Sequence, residues 1–236
     1  SRAIAFSADG RVLFVSFELS VQNGVVPNRI VAFEAMTLNE IASATINGDV
    51  DAGHFISVHP TEPIVAFHVA CGQDGAWTTI FRLESRSLDF WTAIQPENDY
   101  APLVVFTPNG RYFVGSFGSV LQVWDWPSLK SIAETDIDAD EEKNKYFGST
   151  LGFWSDRLMV VAYEPDGEAR LQQRSLPNLR LVSSAPLSIP EITGYLEVVG
   201  EGLLFSSYVT NKKRISPADC KPESETFQLW RASQQD

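Results

Sequence analysis

The sequence predicts an all-β chain folded as a β-propeller of four-stranded antiparallel blades, with five repeats, and three observations predict it. A segment closing on leucine recurs along the chain, a turn between two short apolar strands stands ahead of each copy, and those strands are apolar without alternation. Four short strands recurring roughly every 40 to 50 residues are the sequence form of a propeller blade.

The recurring segments are Ile-Val-Ala-Phe-Glu-Ala-Met-Thr-Leu (30–38), Ile-Phe-Arg-Leu-Glu-Ser-Arg-Ser-Leu (80–88), Leu-Gln-Val-Trp-Asp-Trp-Pro-Ser-Leu (121–129), Leu-Gln-Gln-Arg-Ser-Leu-Pro-Asn-Leu (171–179) and Phe-Gln-Leu-Trp-Arg-Ala-Ser (227–233). The closing leucines Leu38, Leu88, Leu129 and Leu179 fall 50, 41 and 50 residues apart. Each of the first four segments runs on into a further strand, at 40–45, 90–94, 131–135 and 181–185.

Upstream stand the turns Ser7-Ala8-Asp9-Gly10, Pro60-Thr61-Glu62-Pro63, Thr107-Pro108-Asn109-Gly110, Ser155-Asp156 and Gly200-Glu201-Gly202. Asp-Gly and Asn-Gly between apolar runs signal hairpins, because glycine accepts the positive φ such turns require. The strands before the turns are expected at 3–6, 55–58, 103–106, 151–154 and 196–199. Those after them are expected at 12–16, 64–67, 112–116, 158–162 and 203–206. A repeat therefore reads strand a, turn, strand b, loop, strand c, turn, strand d. The repeats divide the single domain 1–236 at about 1–48, 49–97, 98–145, 146–191 and 192–236. Runs such as Arg11-Val12-Leu13-Phe14-Val15-Ser16 show little alternation, as strands buried on both faces do. A β-sandwich has no reason to repeat the same turn chemistry in the same order.

The third repeat, with Phe106-Thr107-Pro108-Asn109-Gly110-Arg111, Gly115-Ser116 and Val123-Trp124-Asp125, resembles a WD repeat. Repeat one carries the similar Phe6-Ser7-Ala8-Asp9-Gly10-Arg11, and repeat two has Gly53-His54 near the place of the family's glycine-histidine pair. That resemblance implies a WD-repeat-like propeller over nearly the whole chain, with His54 as the counterpart of the family's inter-strand histidine. The family's hydrogen-bonded set of His, Ser or Thr, Asp and Trp is complete in no repeat. At the position of Trp124 the other repeats are aligned with Phe33, Leu83, Arg174 and Trp230, and at Asp125 with Glu34, Glu84, Ser175 and Arg231. Repeat five stops before a strand d, and no spare strand precedes repeat one. The sequence thus fits a closed five-blade ring or a piece of a six- or seven-bladed propeller, with the second reading favoured.

Net charge is −12, from 30 acidic and 18 basic residues. So acidic a chain repels phosphate backbones, and no nucleic acid is expected as partner. Two cysteines, Cys71 and Cys220, exclude a disulfide scaffold, and no apolar run approaches the roughly 18 residues that cross a bilayer. No membrane association and a cytoplasmic location are the expectation, with no signal peptide in view.

Blade connectivity places the b–c and d–a loops on one face and the a–b and c–d turns on the other. The first set carries 18 acidic residues against seven basic ones, so nearly all the net charge falls on one face. It also holds the longest predicted loops, 18–29, 136–146 and 207–226. Long loops on a rigid scaffold are where binding residues concentrate. The expectation is a non-catalytic interaction scaffold that takes a protein partner with a basic surface, within a larger assembly. The residues expected to carry it are Trp77, Asp99, Tyr100, Asp138, Asp140, Glu141, Glu142 and Tyr146.

No cofactor is expected. Asp136-Ile137-Asp138-Ala139-Asp140 alternates carboxylates like a calcium loop, yet Glu141 stands where an EF-hand needs glycine and Phe147 where it needs its bidentate glutamate. His68 and Cys71 offer two ligands where a tetrahedral site needs more. His59, beside Pro60 in a turn, is expected at the surface. The alternative function is an enzyme or small-ligand binder at a central channel, with Asp49, Asp99 and Glu191 near its mouth.

Overall fold

The turns close because their own side chains satisfy them. Ser7 N–H donates to Val12 O and Gly10 N–H to Ser7 O, each at 2.8 Å. The Ser7 hydroxyl accepts from Val12 N–H at 2.9 Å and donates to Asp9 Oδ1 at 2.7 Å. Thr107, Asn109 and Tyr112 repeat the pattern, with Tyr112 N–H donating to Thr107 Oγ1 at 3.0 Å and Thr107 Oγ1 to Asn109 Oδ1 at 2.7 Å. Gly10 and Gly110 adopt φ of +69° and +67°, the conformation for which glycine stands at both places.

The structure, a computed structural model, describes residues 3–20, 26–48, 54–71, 75–94, 103–117, 120–137, 151–163, 169–187, 196–199, 202–208 and 225–231. Blade 1 comprises β1 (Ala3–Phe6), β2 (Val12–Glu18), β3 (Val26–Glu34) and β4 (Glu40–Gly48). Blade 2 comprises β5 (His54–Val58), β6 (Ile64–Cys71), β7 (Gly75–Glu84) and β8 (Ser87–Ile94). Blade 3 is β9 (Leu103–Phe106), β10 (Tyr112–Phe117), β11 (Val120–Asp125) and β12 (Lys130–Asp136), and blade 4 is β13 (Leu151–Trp154), β14 (Arg157–Tyr163), β15 (Ala169–Arg174) and β16 (Leu181–Leu187). The fifth sheet has three strands among the described residues, β17 (Leu196–Val199), β18 (Gly202–Tyr208) and β19 (Glu225–Arg231). Every sheet runs in chain order with antiparallel neighbours, so a–b and c–d turns share one end of each blade and b–c loops the other.

Blades 2 and 3 bury both faces, each against a different neighbour. Along β6, Val65, Phe67 and Val69 join Phe14, Ile30 and Ala32 of blade 1, while the alternating Ile64 and Ala66 join Val104, Phe106 and Phe113 of blade 3. In β10, Phe113 faces blade 2, whereas Tyr112 and Val114 pack with Leu151, Leu158 and Val160 of blade 4. That division explains the unbroken apolar runs. A strand that serves two seams has no face left for polar residues.

Blade 2 corrects the alignment made from sequence. Each outer strand carries a register shift opposite the same point of strand c, where Phe33 pairs with Glu40, Trp124 with Ser131 and Arg174 with Leu181. In blade 2 that residue is Phe81, paired with Phe90, so Phe81 and not Leu83 is the counterpart of Trp124, and Arg82 replaces Glu84 at the position of Asp125. The cause is a shorter c–d turn: Glu84 pairs with Ser87, leaving two residues between the strands. Leu88 consequently lies inside β8, buried and paired with Leu83. By contrast Leu38, Leu129 and Leu179 all occupy left-handed backbone at φ of 56°, 53° and 56°. A leucine there costs roughly 1–2 kcal/mol relative to right-handed geometry. Leu38 is 61% exposed and forfeits little packing on removal. Leu38→Gly is therefore expected to raise stability by about 0.5 kcal/mol, after the extra entropy of the unfolded glycine chain is subtracted. Urea denaturation measures it, and a net loss would show that the leucine's contacts outweigh its backbone.

The ladder reaches into the predicted 18–29 loop from both ends. β2 and β3 stay paired to Glu18 opposite Asn28, and beyond that Leu19 N–H still donates to Pro27 O at 2.9 Å. Proline enters at the ladder's end, where its missing donor removes one terminal bond.

Candidate functional site

His59 is not the surface residue expected from its place in a turn. It is 3% exposed. Nδ1 accepts from Thr61 N–H (3.2 Å) and Glu62 N–H (2.9 Å), which leaves Nε2 as the protonated nitrogen, donating to Gly110 O at 3.0 Å across the seam to blade 3. Its ring meets Phe106 edge-on at 5.0 Å and Trp126 at 5.7 Å. Ser57 Oγ crosses the same seam to accept from Phe106 N–H at 2.9 Å, and Trp126 Nε1 crosses back to donate to Glu62 Oε1 at 3.2 Å. Outside Trp126 lies Trp91 at 5.4 Å, with the Arg82 guanidinium 4.1 Å over its ring. The seam between blades 2 and 3 is thus locked at the turn end by one histidine, two tryptophans and a carboxylate.

None of that cluster except His59 was singled out from sequence. The signal available was Trp126, one residue beyond Trp124-Asp125, which occupies the first position of the c–d turn. Its N–H donates to Arg111 O as Ala35 N–H does to Arg11 O and Leu83 N–H to Pro63 O, so Ala35, Leu83 and Trp126 are equivalent.

His68 and Arg174 have structural partners. His68 Nδ1 lies 3.1 Å from Thr78 Oγ1, a buried cross-strand pair, and His54 pairs in the backbone ladder with Val69. Arg174, at the tryptophan position of blade 4, is 7% exposed; Nε and Nη2 donate to Gln172 Oε1 and Nη1 to Leu179 O. Among the described residues no group of three or more His, Cys, Asp or Glu side chains stands together to hold a metal ion.

Of the eight residues expected to bind a partner, Trp77 lies in β7 opposite Val69, near the b–c end of blade 2. Asp99, Tyr100, Asp138, Asp140, Glu141, Glu142 and Tyr146 lie outside the described residues, as do Asp49, Glu191 and Cys220. Arg29, one of the seven bases assigned to loops from sequence, belongs to β3, as the acids Glu18, Asp136 and Glu225 of the same set belong to β2, β12 and β19; Arg29 Nη2 contacts Glu40 Oε1 and Ser43 Oγ of the outer strand at 2.6 and 2.8 Å. The described residues include no helix long and apolar enough to cross a membrane.

Four-stranded antiparallel sheets packed face to face in chain order define a β-propeller with WD-repeat-like blades. Solved structures agree. The chain is similar to one from the mitotic checkpoint complex (TM-score 0.61, 10% identity, 98% of this chain and 62% of that one). It is similar also to the WD40 domain of Toxoplasma gondii coronin (0.55, 9%, 92% and 58%) and to the β-propeller domain of Myceliophteria thermophila Cps50 (Swd1) (0.58, 11%, 99% and 72%). The chain therefore spans about three fifths of the length of the first two. No family model and no curated protein matches the sequence.

Proposed function

We propose that this protein is a non-catalytic interaction scaffold whose acidic loop face takes a protein partner with a basic surface. The observation that carries the reading is the sorting of charge by blade connectivity: once Glu18, Asp136, Glu225 and Arg29 are assigned to strands, 15 acidic against six basic residues fall in the b–c and d–a connections of a chain with net charge −12. The antiparallel order of every sheet supports that sorting. One similar propeller was solved within a multi-protein complex, which agrees with a scaffold role. Asp99, Asp138, Asp140, Glu141 and Glu142 supply the field, and Trp77, Tyr100 and Tyr146 supply anchors beside it. A field of this kind speeds encounter more than it tightens the final complex. The test is a pull-down at low and high salt, followed by kinetics on the captured partner. Neutralising Asp138, Asp140, Glu141 and Glu142 together should slow association about tenfold at low salt and little at high salt. Unchanged association at low salt would overturn the assignment.

A further inference from the structure

The seam between blades 1 and 2 lacks the side chains that fill its neighbours at the turn end. Ser7, His59 and Thr107 are equivalent, each donating its N–H to the strand-b residue five positions on. Val12, Ile64 and Tyr112 are those acceptors, and Ala35, Leu83 and Trp126 are equivalent by their N–H bonds, Leu83 being still within β7. Between blades 2 and 3 the space is filled by His59 and Trp126, and between blades 3 and 4 Tyr112 and Leu176 join one apolar cluster. Between blades 1 and 2 the same positions hold Ser7, Val12 and Leu83. The serine hydroxyl is turned back into its own turn.

What remains there is a cleft of about 280 Å³, floored by Phe14 and Ile64 and walled by Val12 and Leu83. Asp9 and Glu62 line its mouth, each loosely faced by an arginine, Asp9 by Arg11 at 3.8 Å and Glu62 by Arg82 at 4.0 Å, while Glu62 Oε1 also accepts from Trp126 Nε1. The Ser7 hydroxyl and, behind it, the Arg11 backbone N–H hold the Asp9 carboxyl below its ordinary range. The volume lies just under the roughly 300–1,000 Å³ of pockets that enclose drug-sized ligands or cofactors, so one large side chain is the occupant that fits.

We propose that this cleft is a docking site for a peptide segment of a partner protein. An aromatic side chain of the peptide fills the space that His59 and Trp126 occupy one seam further on, and flanking arginine or lysine meets Asp9 and Glu62. The site lies on the turn face, opposite the acidic loops, and does not depend on them. The apolar floor supplies affinity, and a flanking basic residue competes with Arg11 for Asp9 and with Arg82 for Glu62, so the carboxylates set a modest preference for its charge.

The test uses the isotope-labelled full chain titrated with the peptide acetyl-Gly-Arg-Phe-Arg-Gly-amide and followed by amide NMR shifts. Saturable shifts at Ala8, Asp9, Thr61 and Glu62 are expected. Alanine in place of the phenylalanine should weaken binding about tenfold or more, and glutamates in place of the arginines should weaken it too. Asp9→Asn, an exposed change that keeps the acceptor oxygen, should weaken binding about threefold. Ser7→His with Leu83→Trp rebuilds the neighbouring seam's pair and should remove binding while raising Tm. Should that double variant fail to fold, Asp9→Asn and the peptide controls still decide. Absence of saturable shifts at the cleft, or equal binding of the alanine or glutamate peptides, overturns the proposal. Shifts confined to 138–142 would overturn it while leaving the acidic-face reading intact.

Discussion

Gly110→Ala is expected to destabilise the protein by about 3 kcal/mol, whereas Gly10→Ala costs about 1 kcal/mol. The two glycines have the same φ within 2° and the same turn, so their backbone penalties match. Their surroundings differ. A Cβ on Gly110 would stand 2.6 Å from His59 Cε1 and 2.7 Å from Nε2, while a Cβ on Gly10 meets nothing within 4 Å. His59 cannot yield freely, because Phe106, Trp126 and two backbone N–H groups hold it. For a chain of this size the first variant should lower Tm by roughly 6–12 °C and the second by roughly 2–4 °C. Thermal unfolding of the pair measures the difference, and equal shifts would show that the seam contact carries no strain.

Phe113→Ala is expected to cost about 4 kcal/mol. Its side chain is fully buried, with ring centroids 4.7 Å from Phe106 and 6.1 Å from Trp124, and it closes the seam from the blade 3 side. Rigid neighbouring strands leave little room for collapse into the vacancy, which puts the expected loss at the upper part of the range. Phe90→Ala removes the same group from a residue that is 66% exposed and should change stability by no more than about 0.5 kcal/mol. Comparable losses in urea denaturation would contradict the assignment of Phe113 to the core.

Strands a and b were legible in the sequence because the turn between them is decided locally. Ser7 with Asp9 and Thr107 with Asn109 carry their own hydrogen bonds, and glycine marks the positive φ. Strand c of blade 2 was legible only to within two residues. Leu88 imitates the leucine of the other c–d turns, although a tighter hairpin places it in the core of β8. His59 was misread for a different reason: its burial is made by Gly110 and Trp126, which come from the next blade. Local chemistry cannot report a neighbour brought in by the stacking of sheets. The acidic loops have no repeat partners against which to align, and their side chains were readable only as charge and side of the blade.

The register shift shared by the outer strands has a consequence for assembly. In β4, β8, β12 and β16 the residue left unpaired at the shift is Ile41, Trp91, Ile132 or Val182, apolar in every case. A straight perimeter strand would offer a template for foreign β-structure, and a bulge that bends it spoils the match of donors to acceptors. The rim of these blades is thereby protected against runaway polymerisation by strand addition, even though Trp91, Ile132 and Val182 leave grease exposed along it.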